Sequence, residues 1–275
     1  MKTNEVAVLI GTGSIGLAAA RRAAVGRQLL LADYNEAQLA ATAELLQGEG
    51  YDVHTHVTDV SDPDAVAALA DAAAALGPVT RLVHAAGVSP VQASTERVIE
   101  VDLLGTAYVL EEFGRVVSAG GSGIVIASMA GHMGPGFPSE LEHALAYTPT
   151  AELAALPQLE AGAVGDSGAA YTLAKRANAL RVLAAAVPWG ARGARVNCLS
   201  PGIISTPLAR DEMNGPMAEG YQAMIATSAA GRMGTPSEVG DLAAFLFDQT
   251  GGFITGADIL MDGGVIAAMK AGQLG

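Results

Sequence analysis

Two residues four apart, Tyr171 and Lys175, stand in the stretch AAYTLAKRAN. At 3.6 residues per turn they share one helix face, one turn apart. A tyrosine with its solution pKa of about 10 is a poor base at neutral pH. A lysine cation one turn away favours the tyrosinate, and so makes a proton acceptor of it. Ser128 ends the apolar run GIVIAS and offers a hydroxyl that can hold a substrate oxygen in place. Together these side chains suit general acid/base chemistry at a hydroxyl or a carbonyl.

A second pattern lies near the N-terminus. VLIGTGSIGLAAARR places Gly11, Gly13 and Gly16 in the spacing G-x-G-x-x-G, with Thr12, Ser14 and Ile15 between them. The motif follows an apolar run and opens an alanine-rich segment. Glycines there let a backbone approach a pyrophosphate, and a helix N-terminus supplies free N–H groups. QLLLAD then puts Asp33 about 20 residues on, where a carboxylate can accept hydrogen bonds from the adenosine ribose. Asp33 also discriminates. A 2′-phosphate near it would meet roughly 4 kcal/mol of repulsion per unit charge before screening, and about 2 kcal/mol after it, some thirtyfold in affinity. Tyr34 and Asn35 bring no cation. The reading is NAD over NADP.

These groups need a scaffold. Apolar runs at 6–10, 28–32, 52–57, 81–86, 123–128, 194–200 and 258–262 read as seven strands. Helix-like stretches lie near 14–25, 36–48, 63–76, 94–119, 169–187 and 237–247. Strands apolar throughout, each followed by a helix, predict an α/β fold with a doubly wound parallel sheet covered on both faces. Its ligands sit beyond the carboxyl ends of the strands. With no linker, repeat or low-complexity tract in 275 residues, one domain over 1–275 is expected. Residues 132–168 break the rhythm with four prolines and several glycines. TAELAAL within them reads as a short helix capped by Thr150. A segment this long suits a substrate lid, with an oligomer contact or a surface excursion as the alternative.

Composition narrows the partners. The net charge of −13 argues against nucleic acid and against an anionic membrane surface. No run reaches the roughly 18 apolar residues of a membrane span. The glycine motif follows so closely on the N-terminus that a cytoplasmic protein is expected. The single cysteine, Cys198, rules out an internal disulfide and reads as buried and inert.

The combined motifs resemble the short-chain dehydrogenase/reductase family. The match consists of the glycine turn, Asp59-Val60 after the third strand, HAAG at 84–87, Ser128, Tyr171-x-x-x-Lys175, and Pro201-Gly202 with Thr206. The resemblance implies an alcohol–ketone oxidoreductase with NAD as cofactor. In it Tyr171 is the acid/base, Lys175 lowers its pKa and binds the nicotinamide ribose, and Ser128 orients the substrate. Asp59 and Val60 would flank the adenine. Ala85, Ala86 and Gly87 would line the cofactor floor. Pro201, Gly202, Ile204 and Thr206 would hold the nicotinamide end. The family is commonly tetrameric, so a homo-oligomer, tetramer or dimer, is implied, paired through the helices carrying Asp102 and Tyr171.

Three departures stand out. The glycine turn is one residue shorter than the family's usual T-G-x-x-x-G-x-G. Asp102 stands where the family usually has asparagine, whose backbone carbonyl serves a proton relay. Aspartate can substitute if the main chain does that work, so Asp102 counts as a catalytic candidate, and a charge buried there needs a partner, a proton or water. The stretch between the serine and the tyrosine is lengthened by residues 132–168.

Other candidates carry less. His54 and His56 point to one strand face and could reach one ion, but the strand reads as internal and no metal site is expected. His132 and His143 read as surface residues that could touch substrate. Met213, Met217, Met224 and Tyr221 follow Thr206 and suit either an apolar pocket or helix packing. With no arginine cluster to bind phosphate or carboxylate, a small apolar or ring-bearing alcohol or ketone is the expected substrate. A bound-NAD epimerase or dehydratase and a non-catalytic NAD sensor or scaffold are the alternatives.

Overall fold

The computed structural model describes residues 3–215 and 218–274. Met217 lies outside the described residues. Seven parallel strands form one sheet in the order β3-β2-β1-β4-β5-β6-β7. They are β1 (Val6–Ile10), β2 (Gln28–Asp33), β3 (Asp52–Val57), β4 (Val79–His84), β5 (Val117–Ile126), β6 (Arg195–Pro201) and β7 (Asp258–Met261). The order reverses between β1 and β4, which opens a crevice at the carboxyl ends of those two strands. The doubly wound α/β fold read from the sequence is the one observed.

Alternation along the strands divides the core in two. Val6, Val8 and Ile10 of β1 face one side with α3 (Pro63–Leu76), α5 (Gly105–Val116) and α9 (Ser167–Ala191). Ala7 and Leu9 face the other with α1 (Ser14–Ala23), α2 (Glu36–Gly48) and α12 (Pro236–Phe247). Each fully buried leucine, isoleucine or valine contributes about 1.5–3 kcal/mol. Helix starts follow local chemistry. The side chains of Asn35, Asp62 and Thr235 cap α2, α3 and α12, and Pro63 and Pro236 occupy first helical positions.

Several boundaries differ from the sequence reading. β4 ends at His84, so Ala85 and Ala86 lie beyond it, and β5 ends at Ile126, two residues before Ser128. The stretch read as one helix to 119 is α4 (Thr95–Val98), a widened π turn (Ile99–Leu104) and α5; β5 already starts at Val117. β3 is an edge strand, not an internal one. His56 Nδ1 lies 2.8 Å from Thr58 Oγ1. Among the described residues no group of acidic, histidine or cysteine side chains is arranged for a metal, and no helix is long and apolar enough to cross a membrane.

Residues 132–168 fold as α6 (Ser139–Tyr147), α7 (Thr150–Leu153), a 3-10 turn (Pro157–Leu159) and α8 (Ala161–Val164). Thr150 does not cap α7. Its hydroxyl accepts a hydrogen bond from Arg181 at 2.8 Å, and Arg181 also donates to the Thr148 carbonyl. Leu145, Leu153 and Leu159 pack against Leu104 of the π turn, Ala107 of α5 and Ala174, Ala177 and Leu180 of α9. The segment therefore forms an extra layer on the side of α5 and α9 turned away from the sheet.

Candidate active site

The three glycines of the first turn have different duties. Gly11 has φ +88°, and a Cβ there would lie 2.4 Å from the Ala86 nitrogen. A Cβ at Gly16 would meet the Gly11 carbonyl at 2.6 Å and the Ala85 side chain at 2.9 Å. Both close the turn against β1 and the end of β4. Gly13 is different: its φ is −69°, and a Cβ would meet nothing within 4 Å. It precedes Ser14 and Ile15 at the start of α1, where no side chain caps the helix. Open space over uncapped N–H groups fits a pyrophosphate.

Asp33 faces this turn. Its Oδ2 accepts hydrogen bonds from the Thr12 backbone N–H at 2.8 Å and the Thr12 hydroxyl at 2.7 Å. Its Oδ1 accepts from the Asn35 N–H at 3.0 Å. These donors are neutral and fix the carboxylate at the end of β2. A cavity of about 410 Å³ runs from Gly11 and Asp33 past Asp59 and Val60 to Ala86, Gly87 and Val101. The structure so brings together residues the sequence placed on the adenosine side. Arg97 also lines it, and sequence reasoning missed it. Its guanidinium donates to Asp59 Oδ2 at 2.9 Å and to Ser61 Oγ at 2.7 Å. Burial opposes the Asp59 charge, but Ser61 and Arg97 outweigh it and hold the carboxyl below its usual range.

The nicotinamide-side residues lie apart from that cavity. Gly202 and Ile204 line a smaller one of about 190 Å³ with Met261 and Asp262. Pro201 ends β6 and pairs with Met261. The Thr206 hydroxyl accepts the Ala209 N–H at 3.1 Å at the start of α10 (Pro207–Glu212).

The reactive side chains come from three elements. Ser128 follows β5, and its hydroxyl oxygen accepts the Ala130 N–H at 3.1 Å. A hydroxyl that accepts there still has its own proton to donate. Tyr171 and Lys175 lie on α9, with the Lys175 ammonium 5.2 Å from the centre of the Tyr171 ring. Lys175 is buried, and its Nζ stands 3.3 Å from Asp102 Oδ2. Asp102 is fully buried in the π turn, where the Gly105 N–H reaches back to the Glu100 carbonyl. Its Oδ1 accepts the Val88 N–H at 2.8 Å. Burial pushes the Asp102 carboxyl up, against the opposing pull of Lys175 and the Val88 N–H. Burial also works against the Lys175 charge, but Asp102 and Tyr171 more than offset it and hold the ammonium above its usual range.

Below this pair lies a polar string that the sequence did not reveal. His84 Nε2 lies 3.0 Å from Thr106 Oγ1, and the Thr106 hydroxyl donates to the Asp102 carbonyl at 2.8 Å. Nε2 therefore carries the imidazole proton. Burial, with a smaller effect of Lys175, lowers the His84 pKa to about 3, so the ring is neutral. Cys198 is buried, and burial raises its thiol well above the ordinary value. His132 is turned to Asp258, its Nε2 2.8 Å from Oδ2, while His143 lies exposed beside the Tyr147 ring. Met224 of α11 (Ala218–Thr227) clusters with Met133 and with Met129, the residue after Ser128.

Residues 5–139 match the family model described as short chain dehydrogenase, and 141–266 match one described as enoyl-(acyl carrier protein) reductase. The short-chain dehydrogenase/reductase bsc3 of Alternaria brassicicola is 36% identical over 264 residues, covering 96% of each chain. This chain belongs to the short-chain dehydrogenase/reductase family. Another member, the cis-4-hydroxycyclohexanecarboxylate dehydrogenase of Sinomonas cyclohexanicum, is 33% identical over 96% of this chain and 97% of its own. The galactitol 2-dehydrogenase (L-tagatose-forming) of Cereibacter sphaeroides is 30% identical, over 94% and 93%. Among solved structures, a dehydrogenase/reductase from Sinorhizobium meliloti 1021 superposes with a TM-score of 0.74 at 25% identity, covering 95% of this chain and 94% of its own. A variant of the actinorhodin polyketide ketoreductase with NADPH gives 0.75 at 23% identity, over 96% and 99%. Members of the short-chain dehydrogenase/reductase family bind a nicotinamide cofactor and act on small molecules.

Proposed function

We propose that this family member is an NAD-dependent oxidoreductase that interconverts a secondary alcohol and a ketone. The observation that carries this is the charged, buried Lys175 standing 5.2 Å from the Tyr171 ring on one face of α9. In the oxidation, Tyr171 takes the hydroxyl proton of the alcohol while the carbinol carbon loses a hydride. Ser128 donates a hydrogen bond to the substrate oxygen and aligns it. Lys175 would keep Tyr171 competent as a base and bind the nicotinamide ribose. In the reduction, Tyr171 returns the proton. NAD, when bound, supplies the hydride acceptor.

The glycine turn, with Gly13 open to the pyrophosphate, and the adenosine cavity would hold the dinucleotide. Asp33 supports NAD over NADP, since its three donors are neutral and it adds a negative charge where a 2′-phosphate would sit. The fold itself does not choose, because the ketoreductase of the same fold holds NADPH. Pro201, Gly202, Ile204 and Thr206 would hold the nicotinamide end. Met224, Met129 and Met133 favour an apolar or ring-bearing substrate, and the relatives named for a cyclohexane acid and a sugar alcohol mark the range to search.

The test is NADH absorbance against a panel of cyclic and acyclic secondary alcohols and their ketones, with NADP beside NAD. Turnover with NAD, lost by about a thousandfold or more in Tyr171→Phe, is the expected result. Asp33→Ala should raise the NADP-to-NAD ratio of kcat/KM by roughly thirtyfold. Equal use of both cofactors by the parent protein would overturn the reading of Asp33. Tight NAD binding without turnover on any of the panel would overturn the alcohol–ketone reading.

A further inference from the structure

The immediate surroundings of the Lys175 ammonium hold four titratable groups from four elements. Tyr171 comes from its own helix, Asp102 from the π turn, His84 from the end of β4 and Cys198 from β6. His84 is neutral and Cys198 keeps its proton, for the reasons of burial given above. Asp102, with Oδ2 3.3 Å from the ammonium, is the group of the set whose charge can oppose it. Its position is not adjustable. Val88 N–H holds one oxygen at 2.8 Å, and the π turn holds its backbone. A Cβ on Gly87 would come within 3.0 Å of its Oδ1 and 3.2 Å of Lys175 Nζ, so the backbone at Gly87 lies close over the pair.

We propose that Asp102 is a fixed counter-charge to Lys175, and that it sets the pH at which the Tyr171–Lys175 pair gives up its first proton. The proposal rests on Tyr171 being the acid/base of the reaction. Lys175 alone would leave the pair with a net positive charge that favours early proton loss. Asp102 cancels much of that charge and keeps the proton on. This holds whichever of the two sites the proton leaves from, because they titrate as a pair. Asparagine at 102 would keep an oxygen for the Val88 N–H and remove the charge. Asp102 is a positioning residue in this scheme, since it acts through Lys175.

The test compares the full-length protein with Asp102→Asn, and with Asp102→Ala should the first variant fail to fold. Two profiles are recorded. One is the acid limb of kcat/KM for NAD-dependent alcohol oxidation. The other is the tyrosinate absorbance of each protein minus that of its Tyr171→Phe derivative, which isolates one of six tyrosines. A move of about one pH unit to lower pH in either profile supports the counter-charge. A role for Asp102 that was merely structural would lower kcat and thermal stability and leave both profiles in place, and that result overturns the proposal. Should the tyrosinate step move while no alcohol is oxidised, the counter-charge stands and the proposed activity fails.

Discussion

Lys175 Nζ lies 3.3 Å from Asp102 Oδ2, and both side chains are shut off from solvent. Two buried opposite charges stabilise a fold little in net terms, but removing one strands the other. Lys175→Met should therefore destabilise the protein by about 3 kcal/mol at neutral pH, and less as the pH is lowered, since burial raises the Asp102 carboxyl and eases its protonation. Lys175→Met combined with Asp102→Asn should recover most of that loss and none of the activity. Urea denaturation of the three variants at two pH values measures it. Equal destabilisation by the single and double variants would show that the pair is not coupled.

The glycine turn allows a separation of folding from cofactor binding. Gly11→Ala places a methyl at 2.4 Å from the Ala86 backbone at a φ that disfavours any side chain, so melting temperature and NAD affinity should both drop. Gly13→Val meets open space at an ordinary φ. Its melting temperature should stay within a few degrees of the parent, while NAD affinity falls by roughly tenfold or more. Calorimetric titration with NAD and thermal melts of both variants decide the matter.

The start of α12 carries a pH-dependent element away from the site. Glu238 is held at about 2 by Arg232 and by the Thr235 donors of its capping box, against 4.5 for an ordinary glutamate. Its folded pKa is depressed, so its contribution is present above 4.5 and is lost as pH falls through about 2. Glu238→Gln should lower the melting temperature at pH 6 and make no difference near pH 2. A constant difference across that range would contradict the assignment. α12 packs against α1, the helix that opens behind the glycine turn.

Much of this was legible in local chemistry. The stretches 36–48 and 63–76 read as helix-like are α2 and α3, and the structure shows Asn35, Asp62 and Pro63 setting their starts by local chemistry. Ser128, Tyr171 and Lys175 were legible because two share a helix face and the third follows a strand. Long-range contacts were not. Arg97 meets Asp59, and Lys175 meets Asp102, only once the sheet has brought their elements together. The π turn left no trace in the apolar pattern, since one widened turn hardly disturbs the spacing. Thr150 fits a capping pattern, yet Arg181 from α9 takes its hydroxyl. β3 was read as internal, but position in the sheet depends on the order of all seven strands, which puts it at the edge.

The layer formed by residues 132–168 has a mechanical consequence. α9 is squeezed between the sheet and this layer, with Ala179 and Val182 on one side and Ala174, Ala177 and Leu180 on the other. Tyr171 and Lys175 thus ride on a beam clamped along both flanks. α11, by contrast, buries none of its residues, and its Met224 joins a cluster with Met129, the residue after Ser128. The helix that carries the proposed acid/base is thus held on both flanks, whereas α11 packs on the domain with none of its residues fully buried.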